Sequence, residues 1–475
     1  MKKTARKILV LVLTAVIIAS VCVPTFAVSR NEWAAYWETA DAKSAVTVFP
    51  GSDESERLLS WYSDEKSVPE VLLGESREAL NTVFKGTALQ ATDGDYANKV
   101  TVSGLKEDTV YYYKCISGSL ESAVYSFKTD KTDGKFSALY VTDVHVSFDE
   151  EEGTDSVKES ARVFSQTLEN AAAKRPDLSL VLSAGDQASL ALESEYKGFS
   201  ASPVLKSVSV ATAIGNHDKK GTAYKTFKNM PNEDNGQLVK SYIGSDYWFV
   251  KDNALFLVMD STTGSGVDHR YFVKEAIEKN PDVKWKIMMF HHDLYGEREP
   301  HRQTEVKIME LLWSPICDEF RIDLVLLGHS HFYTVSNVIY GNRTAEKYQS
   351  EMTDPKGTIY FTSGAVNRPE TATEAPLGKN AGYAYLAPEP MYNLLDFDGD
   401  TLTVSSYTQD ADEPFNTFSI IKTDNNGGHP DKTRNPFDSL VRLFGTVYSF
   451  INNFSIFSEV REAGYSISLL EWLFG

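Results

Sequence analysis

Hydrophobic and polar residues alternate in short runs across the first part of the chain, from about residue 44 to residue 130. Clear examples are residues 58–62, 99–102 and 109–114, and residues that favour turns lie between them. In an extended strand, successive side chains point to opposite faces, so each run offers one face to a core and one to water. The pattern therefore predicts an all-β sandwich of short strands over residues 44–130.

The pattern changes at residue 136, where β-branched apolar runs begin to alternate with longer stretches of helical period. The strand-like runs are residues 138–141, 178–182, 208–213, 255–259, 285–290, 324–327 and 358–362. Helices are predicted over residues 157–174 and 304–320, where apolar positions recur at helical spacing. Runs that are apolar on both faces are typical of strands covered by helices, so residues 136–422 are predicted to form an α/β domain.

Strand-like alternation returns at residues 391–422, with Asp398-Gly399-Asp400 as the turn of a hairpin. A Gly/Asn-rich linker is predicted at 424–434, followed by an amphipathic helical tail at 435–475. We expect the apolar stripe of this tail to pack on its own protein. Association with a membrane surface or a partner is the alternative, which the lack of Lys and Arg on the polar face disfavours.

The first 27 residues resemble a secretory signal peptide. A basic start is followed by an apolar stretch over residues 8–23 and by a cleavage point after Ala27. An uncleaved membrane anchor is the rival interpretation. Cleavage would leave residues 28–43 as a short N-terminal segment, in which Trp33 and Trp37 are expected to pack on the first domain. The sequence thus predicts a protein that is secreted, extracellular or held in the cell envelope.

The chain is strongly acidic, with a formal net charge of −19 that becomes −23 without the basic residues of the signal. Such a charge gives no electrostatic basis for non-specific binding to nucleic acid or to anionic lipid, so no nucleic-acid surface is expected. Cys115 and Cys317 remain after cleavage and fall in different predicted domains, which argues against a disulfide framework.

Five short motifs follow apolar strands in the second domain. They are Asp143-Val144-His145, Gly185-Asp186, Gly215-Asn216-His217-Asp218, His291-His292 and Gly328-His329-Ser330-His331. Each residue alone is as easily a turn or cap residue, but the ordered set supplies the Asp, His and Asn ligands of a two-metal hydrolytic site. Ligands in open α/β sheets bind beyond the carboxyl ends of strands, which is where these motifs lie.

The ordered motifs resemble those of the calcineurin-like metallophosphoesterase family over residues 136–410. In addition, Val102-Ser103-Gly104-Leu105 followed by a Tyr-rich strand resembles a fibronectin type III module. A β-sandwich before this catalytic domain resembles the purple-acid-phosphatase-like branch. The resemblance implies a multidomain protein with an N-terminal all-β sandwich, two β-sheets sandwiched by helices, and a helical tail.

The resemblance also implies roles for individual residues. It assigns one metal ion to Asp143, His145, Asp186 and His331, and a second to Asp186, Asn216, His291 and His329. Asp186 is then the bridge between two divalent or trivalent ions, with Fe, Mn and Zn all open. His217 is implied to contact the phosphoryl oxygens and to protonate or stabilise the leaving group, and Asp218 to orient His217.

Two departures from the family pattern stand out. The purple enzymes carry a tyrosine three residues after the bridging Asp, whereas Ser189 stands there in this chain. We therefore expect no purple charge-transfer band. Thr334 and Val335 replace an expected acidic–basic pair after the last motif, although Tyr333 fits the family's aromatic position.

Some side chains near the motifs have more than one interpretation. His292 could be the ligand in place of His291, a substrate contact or a packed residue, and the resemblance favours His291. Tyr295, His301 and Tyr333 could line a phosphate pocket or could equally serve in the core or on the surface.

The sequence leads to a first hypothesis of a secreted dimetal enzyme that hydrolyses phosphate monoesters by attack of metal-bound hydroxide on phosphorus. A phosphodiesterase acting on nucleotide or envelope diesters is a second hypothesis, because the metal ligands would be the same. A third is a non-catalytic extracellular binding protein with a relic domain, against which the intact ligand set argues. The oligomeric state is left open.

Overall fold

The computed structural model describes residues 29–147, 154–234, 245–263, 266–296, 303–369, 378–424 and 427–430. The predicted signal peptide and the predicted helical tail lie outside these residues, and so does His301. Across the described ranges, no helix is both long enough and apolar enough to cross a membrane.

Two short helices open the described chain, α1 (Arg30–Trp37) and α2 (Ala40–Ser44). Trp33 of α1 is buried and packs with Ala161 and Ala201. Its indole N–H donates a hydrogen bond of 2.9 Å to the carbonyl of Lys158. These partners belong to the second domain, so the expectation that Trp33 packs on the first domain is wrong.

A β-sandwich follows the two helices and confirms the predicted all-β class. Its strands are β1 (Thr47–Pro50), β2 (Glu56–Ser63), β3 (Glu70–Gly74), β4 (Thr82–Lys85), β5 (Thr87–Gln90), β6 (Tyr96–Ser103), β7 (Val110–Ser117), β8 (Leu120–Glu121) and β9 (Tyr125–Lys128). One sheet has the order β1-β2-β6-β5, and the other has the order β4-β3-β7-β8 with β9 also paired to β7. Trp61, Val71, Val100 and Tyr113 fill the space between the two sheets.

The second domain alternates strands and helices, as predicted. Its elements are β10 (Lys135–Val141), α3 (Thr154–Lys174), β11 (Leu178–Ser183), α4 (Glu193–Ser200), β12 (Ser209–Thr212), α5 (Ala223–Phe227), β13 (Tyr247–Lys251), β14 (Ala254–Val258), α6 (Gly266–Lys279), β15 (Trp285–Met289), α7 (Gln303–Phe320), β16 (Leu324–Leu327), β17 (Tyr333–Ser336), β18 (Val338–Tyr340), β19 (Arg343–Glu346), β20 (Glu351–Thr353), β21 (Ile359–Thr362), β22 (Ala381–Tyr385), β23 (Met391–Asp398), β24 (Thr401–Thr408) and β25 (Asn416–Ile421). Two 3₁₀ helices, Pro203–Lys206 and Asp218–Lys220, interrupt the loops.

Two seven-stranded sheets form the centre of this domain, with the orders β12-β11-β10-β23-β24-β25-β20 and β13-β14-β15-β16-β21-β17-β22. Strands β10, β11 and β12 are parallel, and so are β14, β15, β16 and β21. The sheets pack face to face, since the ring of Tyr140 meets Phe361 edge-on at 5.3 Å between centroids. The two predicted sheets sandwiched by helices are thereby confirmed.

Strand β14 shows why its sequence is apolar throughout. Ala254, Phe256 and Val258 belong to the core between the sheets, whereas Leu255 and Leu257 belong to the core under α6 and α7. Successive side chains of one strand thus enter two different apolar layers. The layer order is helices, sheet, sheet, helices, and it brings the carboxyl ends of both parallel strand sets to one edge.

A buried ion pair joins α6 to Asp246, the residue that precedes β13. Nδ1 of His269 lies 2.5 Å from Oδ2 of Asp246, and its Nε2 lies 3.1 Å from the hydroxyl of Thr263. Burial opposes protonation of His269, but the charge and hydrogen bond of Asp246 outweigh it, and the pKa of His269 is raised. A raised folded-state pKa means that the stabilisation is complete below the unfolded value of about 6.5 and is lost as the pH rises through the folded-state pKa.

We predict that His269→Gln lowers the free energy of unfolding by about 1.5–3 kcal/mol at about pH 5.5, since the variant loses a hydrogen bond between charged groups. The difference from the native protein should shrink as the pH rises above about 6.5. Urea unfolding at a series of pH values measures this. Lys274→Gln, which removes an exposed charge from the same helix, should show no such trend, and a pH-independent deficit in His269→Gln would contradict the assignment.

Candidate metal centre

The five predicted motifs converge at one edge of the two packed sheets. The motifs after β10, β11 and β12 come from the first sheet, and those after β15 and β16 come from the second. Backbone hydrogen bonds join the loops, from His145 N–H to the Asp186 carbonyl at 2.9 Å and from Gly328 N–H to the His291 carbonyl at 2.8 Å. Residues that are far apart in sequence therefore face a common space.

A first group of ligand atoms contains Asp143, His145 and His331. Oδ1 of Asp143 lies 3.2 Å from Nε2 of His331 and 3.7 Å from Nε2 of His145. The other oxygen, Oδ2, accepts hydrogen bonds from the Thr142 hydroxyl at 2.8 Å and the His329 N–H at 2.9 Å. The carboxylate is thus anchored by one oxygen and directs the other toward the two imidazoles.

A second group of ligand atoms surrounds His291. Its Nε2 lies 3.1 Å from Oδ2 of Asp186, 3.1 Å from Oδ1 of Asn216 and 3.3 Å from Nδ1 of His329. The Nδ1 of His291 faces the carbonyl of Ala184 at 2.9 Å, which fixes the ring with Nε2 toward the carboxylate. This is the kind of backbone contact that orients imidazole ligands.

Asp186 belongs to both groups. Its Oδ2 lies 3.1 Å from His291 Nε2 and 3.7 Å from His145 Nε2, so one oxygen stands between the two sets. Its Oδ1 accepts a 2.8 Å hydrogen bond from the backbone N–H of His217. A carboxylate placed in this way has the geometry of a bridge between two cations.

The donor atoms fit metal ions better than they fit one another. Bonds of about 2.1 Å from an ion to two adjacent ligands leave those ligands about 3 to 3.5 Å apart. The ring nitrogens of His145 and His331 lie 3.3 Å apart, as do those of His291 and His329. In addition, Oδ1 of Asp143 is buried and accepts no hydrogen bond from any residue that the structure describes. A cation in each ligand group would satisfy these atoms.

The buried carboxylates and imidazoles of the site shift one another's pKa values. Burial opposes ionisation of Asp143, but the nearby His331 and His291 hold its pKa well below the usual range. Burial likewise opposes protonation of His291, yet Asp186 and Asp143 raise its pKa to about 9. Burial lowers the pKa of His145 to about 3, so that its lone pair stays available as a ligand.

The backbone of the site is unusual, because several site residues adopt left-handed conformations. Asp143, His145, Asp186, His329 and His331 all have positive φ values, between 43° and 72°. Asp and His tolerate this region better than most residues, but the conformation still costs about 1 kcal/mol or more each. Backbone strain of this kind is typical of functional sites, where it directs side chains inward from a tight loop.

His217 lies at the rim of the site, where its predicted role requires it to be. One of its ring nitrogens lies within 4.8 Å of ligand atoms of His145 and Asp186. Its Nδ1 lies 2.8 Å from the carbonyl of Ser189. Since Nδ1 is held from behind in this way, Nε2 is the nitrogen that faces the pocket.

Asp218 does not orient His217, and that part of the prediction is wrong. Its carboxylate accepts hydrogen bonds from the N–H groups of Gly215, Gln187 and Ala188 and from the hydroxyl of Tyr196. Burial and the charge of Asp186 raise the pKa of Asp218 to about 7. Asp218 instead fastens the loop after β12 to the loop after β11, so its contribution to the site is structural.

The structure shows the surroundings of His292, Tyr295 and Tyr333. The Nδ1 of His292 lies 2.8 Å from the hydroxyl of Ser261, and its ring lies 4.7 Å from the ring of His329 between centroids. Tyr295 is buried and donates to Asn342 at 2.5 Å. Tyr333 is fully buried and accepts hydrogen bonds from Ser406 and Asn416. Both tyrosines therefore belong to the core and not to a phosphate pocket.

Several supporting residues were not anticipated from the sequence. Asp293 accepts hydrogen bonds from the hydroxyls of Ser330 and Thr362, and these bonds join the loops after β15 and β16 to the end of β21. The carbonyl oxygens of Ser189 and Arg368 lie 2.8 and 2.9 Å from Nδ1 of His217 and Nδ1 of His331, respectively. A carbonyl contact leaves no trace in residue type, so no sequence signal could have identified it.

The matches to known families and proteins cover both domains. Residues 136–333 match the family Calcineurin-like phosphoesterase, and residues 43–129 match Purple acid Phosphatase, N-terminal domain. Purple acid phosphatase 23 of Arabidopsis thaliana is 24% identical over 369 residues, which cover 69% of this chain and 75% of the relative. Probable purple acid phosphatase 20 of the same plant is 24% identical over 335 residues, covering 64% and 70%.

Solved structures share the fold. A purple acid phosphatase from seeds of yellow lupin (Lupinus luteus) superposes with a TM-score of 0.63 at 15% identity, covering 82% of this chain and 77% of that one. The structure of PhoD superposes with a TM-score of 0.52 at 10% identity, covering 87% and 99%. The two family matches show that residues 136–333 form a calcineurin-like phosphoesterase domain and that residues 43–129 form a purple acid phosphatase N-terminal domain. This combination of domains makes the protein a metal-dependent phosphoesterase.

We predict that Gly215→Ala weakens metal binding by at least about tenfold, the effect seen when residues that support metal ligands are changed. A Cβ atom at Gly215 would lie 2.1 Å from Oδ1 and 2.4 Å from the backbone nitrogen of Asp186, so the carboxylate would have to move. Metal content after dialysis, measured by mass spectrometry, tests this. Gly266→Ala is the control, because its Cβ would meet the flexible end of Leu312 at 3.2 Å. Equal metal content in both variants would contradict the prediction.

Proposed function

We propose that this protein is an exported phosphatase that hydrolyses phosphate monoesters at a centre of two metal ions. The observation that carries the proposal is the pair of ligand groups that share Oδ2 of Asp186. A single metal site would not need a second set of imidazoles on the far side of the same carboxylate. Two adjacent cations are the arrangement that phosphoester hydrolysis uses in many enzymes.

The residues would divide between the two ions as the family resemblance implies. Asp143, His145, His331 and Asp186 would hold one ion, and Asp186, Asn216, His291 and His329 would hold the other. Fe, Mn and Zn all suit this mixture of carboxylate, amide and imidazole ligands. Bound there, two cations would supply Lewis-acid activation of water and of the phosphoryl group.

The chain's own residues would position and neutralise the substrate. His217 presents Nε2 to the pocket and would donate a hydrogen bond to a phosphoryl oxygen or to the leaving group. Asn216, as a neutral ligand, would leave the positive charge of its ion undiminished. The buried floor of Asp143 and Asp186 and the partly exposed rim of His217 and His331 indicate that the substrate enters from the rim.

The positive charge beside His217 and the names of the relatives favour a monoester substrate over a diester. Two relatives are named purple acid phosphatase 23 and probable purple acid phosphatase 20. A monoester carries up to two negative charges, and the ammonium group of Lys220 lies 2.9 Å from Nδ1 of His217. In a chain with a formal net charge of −19, such a local positive charge matters for an anionic substrate.

Export is proposed from the signal-like first 27 residues. N-terminal sequencing of the protein recovered from its native cells would test this. A start at Val28 would support export with cleavage, whereas an intact Met1 would contradict it.

We predict that the purified protein, stripped and reloaded with Mn, Fe or Zn, hydrolyses p-nitrophenyl phosphate faster than bis-p-nitrophenyl phosphate. Asp186→Asn should lower the turnover number by at least about a hundredfold, because changes to residues that merely support metal ligands already cost ten- to a hundredfold. Asp177→Asn, an exposed carboxylate at the start of β11, should be unaffected. Faster hydrolysis of the diester would favour a phosphodiesterase, and no hydrolysis with any metal would favour the binding-protein hypothesis.

We also predict that the iron-loaded protein lacks the purple charge-transfer band. Ser189 stands where the purple enzymes carry a tyrosine, and its hydroxyl lies 3.4 Å from Nδ1 of His145. A serine cannot supply the phenolate that the band requires. A visible absorption spectrum of the oxidised iron form measures this, and an intense band in the range of the purple enzymes would show that another tyrosine binds the metal.

A further inference from the structure

Lys220 lies directly behind His217. The 3₁₀ helix Asp218–Lys220 starts after His217, and the N–H of Lys220 donates to the carbonyl of His217 at 3.1 Å. Side chains three residues apart lie on the same side of a 3₁₀ helix. The ammonium group of Lys220 consequently lies 2.9 Å from Nδ1 of His217 and 3.1 Å from the carbonyl oxygen of Ser189.

These three groups form a closed triangle, because Nδ1 of His217 also lies 2.8 Å from the Ser189 carbonyl oxygen. An ammonium group carries donors only, and a neutral imidazole carries its proton on one nitrogen. With the proton on Nδ1, the positive charge of Lys220 would face the positive end of an N–H bond. With the proton on Nε2, Lys220 donates to two acceptors, Nδ1 and the carbonyl, and offsets their mutual repulsion.

We propose that Lys220 is a positioning residue that keeps the proton of neutral His217 on Nε2, the nitrogen that faces the substrate. The inference rests on the proposed function, in which His217 donates to a phosphoryl oxygen. Without Lys220, the carbonyl of Ser189 would accept a hydrogen bond from Nδ1. The lone pair of Nε2 would then face an anionic oxygen, and the contact would become repulsive.

The carbonyl of Ser189 is held firmly enough for this role. The loop that follows it donates hydrogen bonds from the N–H groups of Leu190 and Leu192 to the buried carboxylate of Glu195, at 3.0 and 2.9 Å. The N–H of Ser189 itself donates to the carbonyl of Val146 at 3.3 Å. Lys220 therefore meets two acceptors whose positions are set by the fold.

The kinetic test compares Lys220→Met with Lys219→Met. The two variants remove the same charge from the same turn, but Lys219 donates to the carbonyl of Thr262 and does not contact His217. We expect Lys220→Met to lower kcat by about tenfold to a hundredfold with little change in KM, as for other residues that orient active-site imidazoles. Lys220→Arg should restore most of kcat, since a guanidinium also offers only donors.

A double-mutant cycle with His217→Gln separates positioning from general charge. A glutamine amide carries its donor and its acceptor on separate atoms, so it has no tautomer for Lys220 to select. Lys220→Met should therefore have little further effect in that background. An equal loss in both backgrounds, a loss confined to KM, or the same loss in Lys219→Met would overturn the proposal.

A second measurement identifies the tautomer of His217 and does not depend on enzymatic turnover. Long-range proton–nitrogen correlation spectra of the zinc-loaded, histidine-labelled protein distinguish a protonated from an unprotonated ring nitrogen, and His217→Gln identifies the signal. We expect a protonated Nε2 in the native protein and a protonated Nδ1 in Lys220→Met. A protonated Nδ1 in the native protein would overturn the inference. This result is independent of whether any ester is hydrolysed, so failure of the proposed function would be recognised separately.

Discussion

The position of one carboxylate, that of Asp186, is the constraint on which the rest of the site depends. Its Oδ2 lies between His145 from the first sheet's loops and His291 from the second sheet's, and the N–H of His217 holds its Oδ1. Neighbouring glycines make this placement possible, because a Cβ atom at Gly215 would collide with it. Both ligand groups are therefore complete only when the two sheets pack against each other in one relative position.

Apolar packing between the sheets sets this relative position, and the loops at their edge then adopt strained backbone conformations. Five of the site residues are held in left-handed backbone conformations at a cost of about 1 kcal/mol or more each. Loops alone could not maintain such conformations, so hydrogen bonds between loops compensate. The buried Asp218 joins the loops after β11 and β12, and the buried Asp293 joins the loops after β15 and β16 to the end of β21. Carboxylates that bind no metal are thus as important to the geometry as those in the ligand groups.

Charge is organised on two scales in this protein. The whole chain is strongly acidic, with a net charge of −19, whereas the rim of the site carries His217, His331 and the adjacent Lys220. An anionic substrate would be repelled at long range and attracted at short range, within about a Debye length of 8–10 Å. Such an arrangement makes local residues, and not the overall field, responsible for binding.

The fold class and the candidate ligands could be predicted from the sequence, because strand periodicity and the order of Asp, His and Asn after strands are local properties. It also predicted the helices 157–174 and 304–320 to within a few residues of their observed bounds. The tertiary structure was needed to show that Nε2 of His291 faces Asp186, that Asp218 joins two loops, and that Tyr333 lies in the core. Those outcomes depend on side-chain direction and on backbone carbonyls from distant loops, which residue identity does not encode.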